Sequence, residues 1–387
     1  MKSLLLSTLA AMAAGSAVAA ADIRLDPNPV YLFDAAADRH LVDAVLHNVL
    51  IVNDGAETVT LTSLSYELIA NGNPTSAAYR SAEQIASRAQ RMAALNEAGM
   101  LNLLDFQFHL STLLGTGEAL SPDALLEPGE ALLEISVYLA STGTPDHVRI
   151  TAIGETATGQ PWQESAEFPV SRYQSATRYR APVDGRWFVF ASGDAHQHHR
   201  WVQSSEYALD IVRLGENAMT YSGDGQAFSD FHAYGQPVLA AADGVVVAVA
   251  DGIAEDPATL QRSDESPDDY AERSGEFQQN LVFDGGIIAA SGNHIIIRHA
   301  DGEYSVYGHL QPGRMSVAPG QQVSAGQPIA AVGGSGNSTE PHLHFQLIDG
   351  PDLNTARGLP VEFEGLRNEW GETRGRHLRA GHILEQE

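Results

Sequence analysis

Alternating apolar and polar residues predict β-strands over most of this 387-residue chain. In the first half, ALLEISVYLA and HVRITAIGET alternate with a period of two, which is typical of strands with one buried face. VLIVNDGAETVTLTSLSYEL contains two extended runs around an Asn-Asp-Gly turn, which predicts a hairpin. A helical period appears between residues 76 and 114, where Ile85, Met92 and Leu95 share one helix face and Gly99 provides a stop.

These patterns predict a mainly β protein with two domains. Residues 22–170 are expected to form a β-sandwich with a helical insertion, and an immunoglobulin-like sandwich is one form of it. The polar segment 171–186 is expected to be a linker. Residues 187–365 contain short Val-rich runs between Asp-Gly, Pro-Gly and Gly-Gly turns, which favours a compact antiparallel β domain. Residues 366–387 are predicted to be a charged tail, with His377 in solvent.

The charge of the chain is strongly acidic. Its 49 Asp and Glu against 22 Lys and Arg give a net charge of −27, and Lys2 is the sole lysine. Nucleic acids and anionic lipid surfaces need basic patches, so neither is an expected partner. Residues 253–291, rich in Asp, Glu and Ser, are predicted to be an acidic surface insertion.

The first 21 residues have the composition of a secretory signal peptide. One positive charge precedes an apolar run and then small residues, with cleavage expected after Ala19 or Ala21. An uncleaved anchor is the alternative. No later stretch has the 18 or more apolar residues of a membrane span. The mature chain is therefore expected to be exported, either to the periplasm or to the medium, with no membrane span. Its oligomeric state is left open.

The chain has no cysteine, so any metal must be held by His, Asp or Glu. Three segments of the second domain offer such residues: HQHHRWVQSSEYALD, YGHL and PHLHFQL. In a strand, His342, His344 and Gln346 of the last segment would share one face, with Leu343 and Phe345 on the buried face. The pair of histidines alone fits a metal site, a catalytic pair or a solvated strand.

The second domain resembles the lysostaphin-type zinc endopeptidases of bacterial cell-wall turnover. The resemblance covers about half of the chain, from APVDGRWFVF to GLPVEF, with ALD, GQPVLAAADGVVV, YGHL and HLHFQL in the family's order. It implies a compact antiparallel β catalytic domain that binds Zn²⁺. The implied zinc ligands are Asp210, His344 and a histidine ahead of Asp210, and the implied catalytic histidines are His309 and His342.

The first ligand is ambiguous, because the chain departs from the family here. The family's first motif places three residues between its His and Asp, whereas ten separate His199 from Asp210. A longer spacing implies a loop inserted ahead of the strand that carries the aspartate. His199 is the preferred ligand, followed by His198 and then His196.

The resulting hypothesis is a secreted zinc endopeptidase that cuts peptide cross-links or stems in peptidoglycan. No HExxH sequence is present, so the two non-ligand histidines would handle the proton and the developing oxyanion. One alternative is a non-catalytic member of the same fold that binds cell wall or activates another hydrolase. Another is a zinc protease that acts on extracellular proteins. Three roles are compatible with the sequence of the N-terminal domain: it could position the enzyme, cover its cleft or contact a partner.

Overall fold

The computed structural model describes residues 21–34, 41–368 and 377–386. The predicted signal peptide lies outside these residues, apart from Ala21. Strands predominate in both halves, so the mainly β fold is confirmed. Within the described ranges, none of the helices combines the length and apolar character that crossing a membrane requires.

The N-terminal half consists of strands with a group of helices inserted after the third long strand. The strands are β1 (Ala21–Asp26), β2 (Val30–Tyr31), β3 (Phe33–Asp34), β4 (Leu41–Asn53), β5 (Val59–Ala70), β6 (Asn73–Ser81), β7 (Ala119–Leu120), β8 (Leu125–Leu126), β9 (Glu130–Thr142), β10 (His147–Thr156) and β11 (Pro161–Ser171). The helices are α1 (Ala82–Glu97), α2 (Met100–Leu103), α3 (Asp105–Phe108) and α4 (Leu110–Leu113).

These strands form two sheets that share one core. One sheet has the order β1-β4-β9-β7 with β3 beside β4, and the other has the order β2-β11-β10-β5-β6 with β8 beside β5. Aliphatic side chains from both sheets form a continuous buried cluster, including Leu46 and Val49 of β4 and Leu64 and Leu68 of β5. The predicted β-sandwich with a helical insertion is thus present. Its immunoglobulin-like form stays a prediction.

The predicted hairpin is wrong. Strand β4 pairs with β1, β3 and β9, whereas β5 pairs with β6, β8 and β10, so the Asn-Asp-Gly segment carries the chain from one sheet to the other. The physical reason is the burial of β4, which is buried at every residue after Leu41. The sandwich core covers part of β4, and helices cover Leu50 and Val52 with Met92 and Phe108. A two-stranded hairpin would leave one of these surfaces in water.

Helix α1 lies within the segment that has the helical period. Its N-cap, Ser81, forms a capping box with Gln84, and Ile85 and Met92 are buried. Gly99 has a φ of 73°, in the left-handed region that suits a helix end. The helix begins later than residue 76 because β6 extends to Ser81.

The C-terminal half contains short strands and one long, kinked helical segment. The strands are β12 (Arg186–Ala191), β13 (Leu209–Val212), β14 (Pro237–Leu239), β15 (Gly244–Ala250), β16 (His294–Arg298), β17 (Tyr304–Gly308), β18 (Gln322–Val323), β19 (Pro328–Ala331), β20 (Leu343–Ile348), β21 (Gly358–Leu359), β22 (Leu366–Asn368) and β23 (Ile383–Gln386). The helical segment α5 (Pro267–Ser291) consists of two helices that meet at a kink, where Gly286 has a non-helical φ of 62°.

The main sheet of this half is antiparallel. Its order is β18-β15-β16-β17-β20-β13-β12-β23-β22, with β21 beside β20, and β14 pairs separately with β19. One buried cluster includes Ile211, Ile295, Tyr307 and Phe345 from four of the strands. The compact antiparallel β domain that the turn pattern predicts is confirmed. Strand β11 ends and β12 begins close to the two ends of the predicted linker, and the exact domain boundaries stay predictions.

The predicted solvated tail is wrong for its last described residues. Strand β23 pairs with β12 and β22, so the chain end is part of the main sheet. His377 is 9% exposed and stacks on Phe33 of the N-terminal domain, with ring centroids 4.9 Å apart. The charged residues of this segment concealed the pairing of β23, because strands pair through backbone hydrogen bonds and a strand next to the edge of a sheet needs few apolar side chains.

Candidate metal centre

Three neighbouring strands bring the predicted site residues together. In the order β17-β20-β13, Asp210 of β13 lies opposite His344 of β20, and Gly308 of β17 lies opposite the same histidine. His309 follows directly after β17. Since side chains alternate along β20, Phe345 enters the core while His344 takes the other face. The strand register therefore aligns residues that are far apart in the sequence.

Asp210 is the centre of a cluster of histidines. It is 6% exposed, and its carboxylate lies 2.9 Å from Nε2 of His199, 3.0 Å from Nδ1 of His344 and 3.4 Å from Nε2 of His342. Burial alone would raise the pKa of Asp210, but His199 and His342 hold it well below its usual value. The carboxylate is thus ionised in a buried, histidine-lined position.

The hydrogen bonds of His344 indicate a place for a cation. Its Nε2 donates to Oε1 of Gln346 at 2.7 Å, so Nδ1 is the ring nitrogen that faces Oδ1 of Asp210. Nδ1 and Oδ1 lie 3.0 Å apart, so with a neutral ring the two atoms can bind one cation together. Imidazole nitrogen and carboxylate oxygen are zinc ligands. The residues present therefore fit the ion that the resemblance implies.

Of the three histidines ahead of Asp210, His199 is the most closely placed. It is 5% exposed, and burial lowers its pKa, which favours the neutral ring that a metal requires. His198 has Nε2 3.9 Å from the Asp210 carboxylate and a side chain that is 66% exposed. With His199 and Asp210 it still forms a group whose ligand atoms lie within 4.8 Å of one another. His196 is exposed.

The two remaining histidines face the same site, each held by a carbonyl group. Nδ1 of His309 donates to the carbonyl of Ser335 at 2.8 Å, and Nδ1 of His342 donates to the carbonyl of Glu340 at 2.7 Å. Nε2 of His309 is then available to a substrate, whereas Nε2 of His342 lies 3.4 Å from the Asp210 carboxylate, and the two ring centroids are 4.7 Å apart. His309 has a φ of 57°, a left-handed conformation uncommon for a residue with a side chain, at the turn that follows β17.

The pKa values of these two histidines shift in opposite directions. Burial, with His342 and His344 nearby, holds the pKa of His309 well below its usual value. Burial also acts to lower the pKa of His342, but Asp210 prevails and raises it.

The histidines open into a cleft of about 430 Å³. Its lining combines the histidine cluster with apolar residues, which include Phe106, Phe190, Val202, Val212, Val282 and Ile287. The sequence patterns do not predict two groups of the residues that line this cleft. Phe106 comes from the N-terminal domain, and Val282 and Ile287 come from α5, within the segment predicted to be an acidic surface insertion. Gln346 also lines the cleft. The alternation of side chains along β20 indicates this position, because it places Gln346 on the same strand face as His344.

Comparison with known proteins identifies part of this domain. Residues 276–355 match the family model described as Peptidase family M23, and the chain therefore contains an M23 domain. The peptidoglycan DD-endopeptidase ShyC of Vibrio cholerae is 41% identical over 58 residues, which are 15% of this chain and 13% of ShyC. The murein hydrolase activator EnvC of Escherichia coli is 41% identical over 71 residues, which are 17% of this chain and 16% of EnvC. The chain thus covers less than a fifth of either relative.

Solved structures match more of the chain at lower identity. The catalytic domain of the antimicrobial peptidase lysostaphin from Staphylococcus simulans is 20% identical, with a TM-score of 0.24, over 45% of this chain and 86% of that domain. A zinc-containing peptidase from Vibrio cholerae is 16% identical, with a TM-score of 0.24, over 82% of this chain and 80% of that one.

Proposed function

We propose that this chain is an exported zinc endopeptidase that hydrolyses peptide bonds in peptidoglycan. The observation that carries the proposal is the ionised, buried carboxylate of Asp210 beside ring nitrogens of His199 and His344. These three residues would hold the zinc, and His309 and His342 would be the catalytic histidines. The similarity to ShyC, a peptidoglycan DD-endopeptidase by name, supports the substrate class. Export would place the enzyme in the periplasm or outside the cell.

The hydrogen bonds of each side chain in the site indicate the role that it would have in the reaction. When bound, zinc would supply Lewis-acid activation of a water molecule and of the scissile carbonyl. Ser335 and Glu340 fix the Nδ1 hydrogens of His309 and His342, so each ring presents Nε2 to the cleft. At that atom a ring can accept the proton of the attacking water or donate a hydrogen bond to the developing oxyanion. Gln346 orients His344 and fixes its tautomer.

A second candidate function is activation of another cell-wall hydrolase without catalysis. The similarity to EnvC, a murein hydrolase activator by name, favours it. The pair of His309 and His342 favours catalysis, because a non-catalytic activator has no use for two non-ligand imidazoles beside a metal site in one cleft. A protease acting on extracellular proteins would use the same site and differ in substrate.

The test is incubation of the zinc-loaded mature protein with purified peptidoglycan and, separately, with denatured casein. Release of peptides from peptidoglycan that stops on chelation is the expected result. Cleavage of casein alone would favour a general protease. Inertness towards both substrates, with zinc bound, would contradict the enzymatic proposal and favour the activator.

A further inference from the structure

The segment between the first two proposed zinc ligands packs against the N-terminal domain. We call this segment, residues 200–209, the interligand loop. Its first residue, Arg200, has 0% of its surface exposed. The guanidinium lies between two carboxylates: Nη1 donates to Glu206 of the loop at 2.7 Å, and Nη2 donates to Asp43 of β4. The loop is therefore fixed by a charge from the other domain.

A second group of contacts fixes the middle of the interligand loop. Gln203 is buried, accepts a hydrogen bond from Asn48 of β4 at 3.1 Å and donates to Asp26 of β1 at 3.0 Å. Gln107 of α3 donates to the carbonyl of Trp201 at 2.6 Å. All of these partners belong to the N-terminal domain, so the loop is held at two points from outside its own domain.

The charges of this interface depend on one another. Nε2 of His47 lies 3.0 Å from the Glu206 carboxylate. Burial alone would raise the pKa of Glu206, but His47 and Arg200 hold it below its usual value. Removal of Asp43 would leave Arg200 buried with one carboxylate partner instead of two. A buried charge that loses a partner moves towards water or changes its packing, because burying an uncompensated charge is unfavourable.

A movement of Arg200 would displace His199, the adjacent residue and a proposed zinc ligand. Arg200 follows His199 in the single 3₁₀ turn His198–Trp201, and Nε2 of His199 lies 2.9 Å from Asp210. We propose that the N-terminal domain positions the zinc ligand His199, with Asp43 acting through Arg200. This inference rests on the proposed zinc site. It assigns the N-terminal domain a part in building the metal centre, and Asp43 is a positioning residue, since it touches neither zinc nor substrate.

The test compares zinc affinity in the full-length mature chain with and without the Asp43 charge. Asp43→Asn should weaken zinc binding by about tenfold or more in a competition titration against a chromogenic chelator. The matched control is Glu134→Gln, which removes another buried carboxylate of the same domain from its arginine partner, Arg80, 3.0 Å away. That variant should lower the melting temperature and leave zinc affinity within about twofold of the wild type.

A milder variant keeps the test decisive if Asp43→Asn does not fold. Gln107→Ala removes two hydrogen bonds that a half-buried side chain makes to the interligand loop, one donated to the carbonyl of Trp201 and one accepted from the N–H of Gln203, and should weaken zinc binding by several-fold. Unchanged zinc affinity in the folded variants, with only the melting temperature lowered, would overturn the inference while the zinc site stood. A wild-type chain that binds no zinc would instead remove the proposed function, and the inference with it.

Discussion

Asp210 is the residue on which the candidate centre depends most. Its carboxylate is buried among imidazoles, and the pKa of this group lies well below its usual value because His199 and His342 outweigh the effect of burial. A neutral residue of the same shape cannot supply the negative charge that a divalent cation requires. Substitution of single side chains can distinguish the two kinds of residue. Loss of a zinc ligand should remove the metal, whereas loss of a catalytic histidine should leave the metal bound.

We expect Asp210→Asn and His344→Ala to lose zinc, since a site with three protein ligands rarely survives the loss of one. Zinc content of the purified variants, measured by atomic absorption, checks this. Activity should fall by at least about a hundredfold in both. Full zinc occupancy in either variant would contradict the ligand assignment.

His309→Ala and His342→Ala should behave differently, because neither ring is a proposed ligand. We expect both to retain zinc and to lose about 10²- to 10⁴-fold in the rate of peptidoglycan cleavage. The same metal assay provides the control. A near-normal rate in one variant would remove that histidine from the mechanism.

The first ligand can be identified in the same way. His199→Ala should abolish zinc binding, whereas His198→Ala and His196→Ala should leave it nearly intact, because among these three histidines His199 alone is both buried and in direct contact with Asp210. An empty site in His198→Ala alone would assign the ligand to the neighbouring residue.

At the scale of secondary-structure elements, patterns identified most long strands and helix α1 but not their partners. The two runs around Asn53-Asp54-Gly55 were recognised as strands, yet they belong to different sheets. Strand β23 was assigned to a solvated tail although it joins the main sheet. Periodicity reports which face of an element is apolar, and it carries no information about which element covers that face.

The packing of the last strands has a pH-dependent consequence. Burial of His377 lowers its pKa to about 4, whereas an unfolded chain would have a value near 6.5. As the pH falls, the unfolded state takes up this proton first, so the free energy of unfolding decreases between about pH 6.5 and pH 4. We expect a loss of about 2 kcal/mol at pH 5 relative to pH 7 from this residue.

Urea denaturation of wild type and His377→Phe at both pH values checks this expectation. The phenylalanine can keep the stacking on Phe33 and cannot titrate. The decrease in stability from pH 7 to pH 5 should therefore be about 2 kcal/mol smaller in the variant. An equal decrease in both proteins would mean that His377 is protonated in the folded state.

At the scale of the whole molecule, the two halves share the candidate site. Phe106 of the N-terminal domain lines the cleft, and Asp43 and Asn48 of the same domain contact the interligand loop. A chain that begins near residue 181 would expose Arg200 and Gln203 to water. The full mature chain is therefore the appropriate form for assays of zinc binding and cleavage.

The net charge of −27 should weaken the approach to cell wall, which is itself often anionic. Salt screens such diffuse repulsion beyond about 8 Å at physiological ionic strength. We expect the rate of peptide release from peptidoglycan to rise modestly as sodium chloride is increased towards about 0.15 M. A small neutral peptide substrate serves as the control, and its rate should stay constant. A rate on peptidoglycan that falls with salt would show that attraction dominates.

The residue types of the site and their local geometry can be predicted from the amino-acid sequence. The alternation in PHLHFQL places His344 and Gln346 on one strand face, and the absence of cysteine limits the ligands to His, Asp and Glu. These features depend on the backbone of neighbouring residues, which has a fixed period. Three further features are apparent in the folded chain alone: Asp210 lies opposite His344, His199 is buried beside Asp210, and the N-terminal domain contacts the interligand loop. Register between distant strands and docking between domains arise from non-local packing, which no local pattern encodes.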